Sequence, residues 1–245
     1  MFRVKICGIT DPDEACAVAD AGADAIGLNF YPPSPRCVAP ELAVRIAEAL
    51  RRHDAQQGRT PTLVVGVFVN ETAARIAKIQ QAVGLTAIQL HGDEPPAAVA
   101  EAARACGPRV AILRAVRLPP ESGLEVLNAQ LADHSEEGRL PEALLVDTAA
   151  PGAFGGTGQT LAWLPLRRER PLAGGVRLLL AGGLRPANVA EAIRQARPDG
   201  VDTASGVERA PGRKDPTLVA AFVAAAKHAW EVSGRMEVGG PGCSD

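Results

Sequence analysis

Aromatic residues are scarce, at 3% of 245 residues, with a single tyrosine. So thin a supply argues against a protein that grips exposed bases on stacking platforms. A basic surplus is missing too. With 26 Lys and Arg against 28 Asp and Glu, the formal net charge is −2, unlike the clustered positive excess of a nucleic-acid binder. The five cysteines (Cys7, Cys16, Cys37, Cys106 and Cys243) form no CxxC pair and are odd in number. That pattern fits neither a zinc site nor a disulfide framework, and it points to free thiols in a reducing compartment. No apolar run approaches the ~18 residues of a membrane span. The opening MFRVKICGIT enters a strand at once, without the apolar core of a secretory leader. Together these absences predict a soluble, cytoplasmic protein with neither nucleic acid nor membrane as partner.

Apolar residues are plentiful, at 47%, and they are arranged in a repeating order. Eight short runs, FRVKIC, DAIGLNF, TLVVGVFV, AIQLHG, RVAILRAV, ALLVDT, RLLLAGG and GVDTASG, alternate with alanine-rich stretches of helical pattern. The sixth unit is the weak one, because only TLAWLPLRR follows its strand. Near-continuous apolar strands between helices imply a parallel sheet covered on both faces. Eight such units in about 250 residues predict a single (β/α)8 TIM barrel, an α/β fold, over 1–232. An open doubly wound sheet is the alternative. The small, glycine-rich segment 233–245 reads as a disordered tail. Asp11 and Asn70 stand where they could cap the first and third helices.

In a barrel, chemistry gathers on the loops after the strands. Cys7 ends the first strand, with Lys5 two residues earlier on the same face under the period-2 alternation of a strand. A nearby ammonium favours the thiolate, although a lone buried cysteine often serves packing alone. Asp147 ends the sixth strand, where partial burial would raise its pKa and make an acid form accessible; loop hydrogen bonding is the simpler role. Gly182-Gly183 and Ser205-Gly206 end strands seven and eight, the recurrent phosphate site of this fold, and a helix opening near Pro186 would add its dipole. His91 is the one histidine at a strand end. With no second histidine there, it reads as a hydrogen-bonding wall residue and not as a metal ligand. Arg36, in the proline-stiffened NFYPPSPRCV, could present its guanidinium to a carboxylate. The segment PGAFGGTGQT has Gln159 where a P-loop needs lysine, and reads better as a loop closing over substrate, with Gly156 inside it.

KICGIT, GADAIGLNFYPPSPRCV, VGVFVN, IQLHGDE, LLVDT followed by GGTGQT, LLAGGLRPANV and GVDTASGVE together resemble the phosphoribosylanthranilate isomerase family of tryptophan biosynthesis, in order from about residue 2 to 229. The resemblance implies an Amadori rearrangement of N-(5-phosphoribosyl)anthranilate without cofactor or metal, the only partner being that small phosphosugar. It implies Cys7 as general base, Asp147 as general acid and Arg36 as the holder of the anthranilate carboxylate. It places Gly183, Ser205 and Gly206 in the phosphate loops. It leaves open whether the protein is a monomer or a homodimer. One departure stands out: Leu161-Ala162-Trp163 occupies the place where the family commonly has Phe-Asp-Trp. The rivals are a metal-dependent sugar-phosphate epimerase, the indole-forming synthase of the same pathway, a Schiff-base aldolase acting through Lys5, and a non-catalytic phosphosugar-binding module.

Overall fold

The computed structural model describes residues 1–119, 122–147, 163–167 and 171–238, with side chains to residue 233. Eight parallel strands close into a barrel in chain order: β1 (Val4–Cys7), β2 (Ala25–Asn29), β3 (Leu63–Phe68), β4 (Ala87–Leu90), β5 (Ala111–Arg117), β6 (Ala143–Asp147), β7 (Arg177–Ala181) and β8 (Gly200–Thr203). Closure comes from β1 pairing with β8, Lys5 beside Asp202. Helices α1 (Pro12–Asp20), α2 (Pro40–Gln56), α3 (Ala73–Val83), α4 (Ala97–Cys106) and α5 (Leu124–Glu136) follow the first five strands, and α6 (Val189–Ala196) and α7 (Pro216–Val238) follow the last two. Among the described residues the sixth unit has only two 3₁₀ turns, Leu164–Leu166 and Ala173–Gly175, where the sequence pattern was weakest.

Local chemistry sets the boundaries. Asp11 caps α1, its Oδ1 accepting from the backbone N–H groups of Asp13 and Glu14. Asn70 is not the cap of α3. Thr72 takes that place, accepting from Arg75 N at 3.3 Å, while Asn70 turns the chain at φ 51°. α6 begins at Val189, later than the expected opening near Pro186, because Arg185–Asn188 form a turn of their own closed by Arg185 N on Asn188 Oδ1. α7 runs to Val238, so residues 233–238, assigned to the tail from their composition, continue a helix. Residues 239–245 lie outside the described residues.

Alternation along each strand sorts side chains into two cores. Outward residues such as Val4, Ile6, Ile26, Leu28, Ile88, Leu144 and Leu180 pack against the helices. Inward residues Phe2, Ala25, Val65, Leu113, Leu145 and Leu179 fill the lower barrel. A feature absent from the sequence pattern is a small antiparallel hairpin after β8, formed by β9 (Glu208–Ala210) and β10 (Arg213–Lys214). Among the described residues no helix is long and apolar enough to cross a membrane.

Candidate active site

The carboxyl ends of the strands surround one cavity. Cys7, Arg36, His91, Asp147, Gly182, Gly183 and Ser205, singled out from the sequence, all line it. Gly206 stands just behind, where a Cβ would collide with the Leu184 carbonyl oxygen, so glycine there lets the seventh and eighth loops close on one another. Gly156, Leu161 and Ala162 fall outside the described residues. β5 runs past Arg114 to Arg117, and Arg114 pairs with Glu94 beside the fourth loop.

Cys7 and Lys5 share the inward face of β1. Lys5 is fully buried, with Nζ 3.0 Å from Asp202 Oδ1 on β8 and Cys7 following it on the same inward face. Burial works against its ammonium, but Asp202 and Cys7 carry the lysine above its usual range, so the positive charge stays. The sulfur has the opposite history. Burial pushes the Cys7 thiol above its ordinary 9.0, Lys5 and Lys214 pull it down, and Asp202 adds to the upward shift. The ammonium does favour the thiolate, as the spacing suggested, yet not enough to make it the resting form. The sulfur is tightly seated: a Cβ added at Gly27 would lie 2.5 Å from Cys7 Sγ, so the facing strand has to carry glycine.

Across the barrel, His91 Nε2 lies 3.0 Å from Asp147 Oδ2. His91 Nδ1 is 2.7 Å from Gln89 Nε2, and Gln89 Oε1 accepts from Lys5 Nζ at 3.0 Å. A chain of polar contacts thus runs from Lys5 on β1, through Gln89 on β4 and His91 just beyond it, to Asp147 on β6. Gln89 is wholly buried. Neither it nor Asp202 was singled out from the sequence, though each is a polar residue on the inward parity of an apolar strand, which is signal enough.

Arg36 reaches the cavity from the second loop. Ser34 Oγ accepts from Arg36 N at 3.2 Å and from Asn29 Nδ2 at 3.3 Å, while Asn29 Oδ1 accepts from Tyr31 N, so the proline-rich segment is tied down at its base. The guanidinium is already engaged. Nε and Nη2 donate to the two carboxylate oxygens of Glu208 at 2.8 and 2.7 Å, and Lys214 Nζ donates to the same carboxylate at 2.8 Å. This leaves the end-on Nη1–Nη2 edge for an incoming carboxylate. Glu208 and Lys214 were missed because nothing in ERAPGRK distinguishes them from a solvated charged loop.

On the other side of the cavity, Gly182 and Gly183 take φ of 75° and 63°, a left-handed pair that turns the chain sharply after β7. Asn188 Nδ2 braces the Gly183 carbonyl at 3.1 Å, and Thr203 Oγ1 donates to Leu184 O at 2.6 Å, joining the seventh loop to β8. Ser205–Val207 form a 3₁₀ turn beside them. Consecutive backbone amides in such turns make a concave, positively polarised surface suited to a phosphate. Among the described residues no group of three or more His, Cys, Asp or Glu is placed to hold a metal.

The family model for N-(5'-phosphoribosyl)anthranilate (PRA) isomerase matches residues 4–225. A curated protein of that name from Myxococcus xanthus is 46% identical over 232 residues, covering 94% of this chain and 99% of its own. The crystal structure of phosphoribosyl anthranilate isomerase from Thermotoga maritima superposes with a TM-score of 0.73 at 38% identity, covering 93% of this chain and all (100%) of its own. A further crystal structure, of the isomerase in complex with reduced 1-(o-carboxyphenylamino)-1-deoxyribulose 5-phosphate, gives a TM-score of 0.69 at 35% identity, again covering 93% of this chain and 100% of the other.

Proposed function

The chain belongs to the N-(5'-phosphoribosyl)anthranilate isomerase family, and on that premise we propose that its cavity performs the family's Amadori rearrangement with Asp147 as general acid and Cys7 as general base. The protein is an isomerase of tryptophan biosynthesis acting on a small molecule. Asp147 gives its proton to the furanose ring oxygen, the C1–O bond of the sugar breaks, and a Schiff base forms between C1 and the anthranilate nitrogen. Cys7, as thiolate, then takes the proton from C2, which the adjacent iminium has acidified. The resulting enolamine tautomerises to the ketone of 1-(2-carboxyphenylamino)-1-deoxyribulose 5-phosphate. Proton transfer by placed side chains is worth about 10²–10⁴-fold, and holding the pentose between acid and base supplies much of the rest.

One observation carries this reading: Cys7 and Asp147, on strands that are not neighbours, border the same cavity with Arg36 and the Gly182-Gly183 turn. Arg36 receives the anthranilate carboxylate through its remaining edge, and the amides around Gly183, Ser205 and Gly206 receive the phosphate. His91 contacts the acid and walls the cavity. No cofactor enters this scheme. We take the catalytic unit to be the single barrel of 1–232 and its setting to be the cytoplasm. The free thiols of Cys7, Cys16, Cys37 and Cys106 support a reducing milieu.

The test follows the loss of anthranilate fluorescence during turnover by wild type, Cys7→Ala and Asp147→Asn. Each substitution is expected to lower kcat by about 10²-fold or more, with folding unchanged by circular dichroism. Near-native turnover by either variant removes that residue from the mechanism.

A further inference from the structure

We propose that Gln89 is a positioning residue for the acid: held in one amide orientation by Lys5, it fixes His91 as the neutral Nε2–H tautomer, which donates to Asp147 Oδ2 and disfavours a proton on that oxygen. The proposal rests on the assignment of Asp147 as general acid and adds how that acid is aimed.

Donor and acceptor identities decide each link. A lysine ammonium has three donors and no acceptor. The group of Gln89 that faces Lys5 Nζ at 3.0 Å is therefore its carbonyl oxygen Oε1, and the amide nitrogen faces the other way. Lys5 is held as an ammonium by Asp202 and Cys7, so it does not become an acceptor. Gln89 Nε2, which can only donate, lies 2.7 Å from His91 Nδ1, so that ring nitrogen is the acceptor and carries no proton. In the neutral ring the proton then sits on Nε2, which donates to Asp147 Oδ2 at 3.0 Å. A doubly protonated ring would set N–H against N–H at Gln89. Rotating the amide to relieve that would turn its NH₂ on the buried ammonium instead.

The last link concerns the acid. When a carboxylic acid both donates and accepts, its carbonyl oxygen is the better acceptor. The imidazole N–H therefore favours an unprotonated Oδ2 in the acid form. After transfer, the same N–H stabilises the carboxylate that remains. An imidazole of the opposite tautomer would present a lone pair to Oδ2 and compete with the substrate for the acid's proton. Orientation by a buried third group is a recurrent way of holding a catalytic imidazole in one tautomer. Here the buried group is a neutral amide, itself oriented by a cation from another strand.

The ring nitrogens of His91 report this directly. In protein labelled with ¹⁵N-histidine, four histidines contribute signals, and that of His91 is identified by its loss in His91→Asn. Wild type without ligand is expected to show a protonated Nε2 and an unprotonated Nδ1. In Gln89→Glu the second carboxylate oxygen becomes an acceptor, so the proton is expected on Nδ1, with kcat lowered about tenfold or more and KM within about threefold. Gln89→Met, which keeps the volume but offers no donor, is expected to give a tautomer mixture and a smaller loss. A wild-type ring protonated on Nδ1 overturns the proposal whether or not the variants fold, and so does a tautomer change in Gln89→Glu that leaves kcat intact. Near-native activity of Asp147→Asn alongside the expected wild-type tautomer would instead remove the acid assignment and leave the amide–imidazole orientation standing.

Discussion

The barrel interior holds two layers that are almost equally buried and chemically opposite. Below lie Phe2, Val65, Leu113, Leu145 and Leu179, at 0–1% exposure. Above lie Lys5 and Gln89 at 0%, Asp202 at 5% and Asp147 at 7%. Both layers face inward: the lower residues come from β3, β5, β6 and β7 with Phe2 just ahead of β1, and on β1, β4, β6 and β8 a polar residue takes the upper inward position. The lower layer is held by area removed from water, a non-directional gain. The upper layer sheds hydration for contacts that are strong only in one geometry, and net stability gains little from such a bargain. What it gains is direction: each donor has one acceptor to meet, and the cavity inherits that order.

Lys5→Met should break the contrast most severely, because it makes one upper position apolar. It leaves Asp202 as an uncompensated buried charge and should cost about 3–5 kcal/mol in chemical denaturation. With the ammonium gone, the Cys7 thiol moves further above 9.0, so the rise of kcat/KM with pH, which follows the thiolate fraction, should shift to higher pH. A variant as stable as wild type would mean the upper layer is held as the lower one is. Leu145→Ala is the matching cut below. It should cost about 2–5 kcal/mol through lost burial and a cavity while kcat per folded molecule stays unchanged, and a large fall in kcat would show that the layers are not separable.

Glu208→Gln tests the rim and should have the smallest effect on stability. Burial works to raise this carboxyl, but hydrogen bonds from Arg36 and Lys214 hold it below its ordinary 4.5. Its contribution to stability is therefore present above pH 4.5 and lost as pH falls below that value, so the variant should show a flatter acid limb of stability. With Arg36 less firmly aimed, KM is expected to rise about tenfold, as for loss of one charge-assisted hydrogen bond, while kcat holds. An unchanged KM would separate Arg36 from substrate binding.

How much of this could be read from the sequence depends on how local each cause is. All eight strands were legible, because parallel strands buried on both faces leave long apolar runs, and the weak sixth unit was visible in TLAWLPLRR. The cap of α3 was misplaced by two residues, since Asn70 and Thr72 are both capping types and the turn at Asn70 decides between them. Arg36 was legible as an inward-aimed cation but its partner was not, because Glu208 is 172 residues away and sits in a hairpin without an apolar pattern. Gln89 lay within reach of the period-2 rule, since AIQLHG sets it on the parity opposite to Ile88 and Leu90.

The polar chain from Lys5 to Asp147 ties together strands that share no backbone hydrogen bonds, which has a consequence for descent. Replacing any one member strands a buried donor or acceptor on the next, so intermediates one substitution away are penalised whichever end changes first. A lineage leaving this chemistry would have to change several members together, or first loosen the chain by admitting water between them. Sequences that drift freely on the helices should therefore hold or lose these four positions as a set.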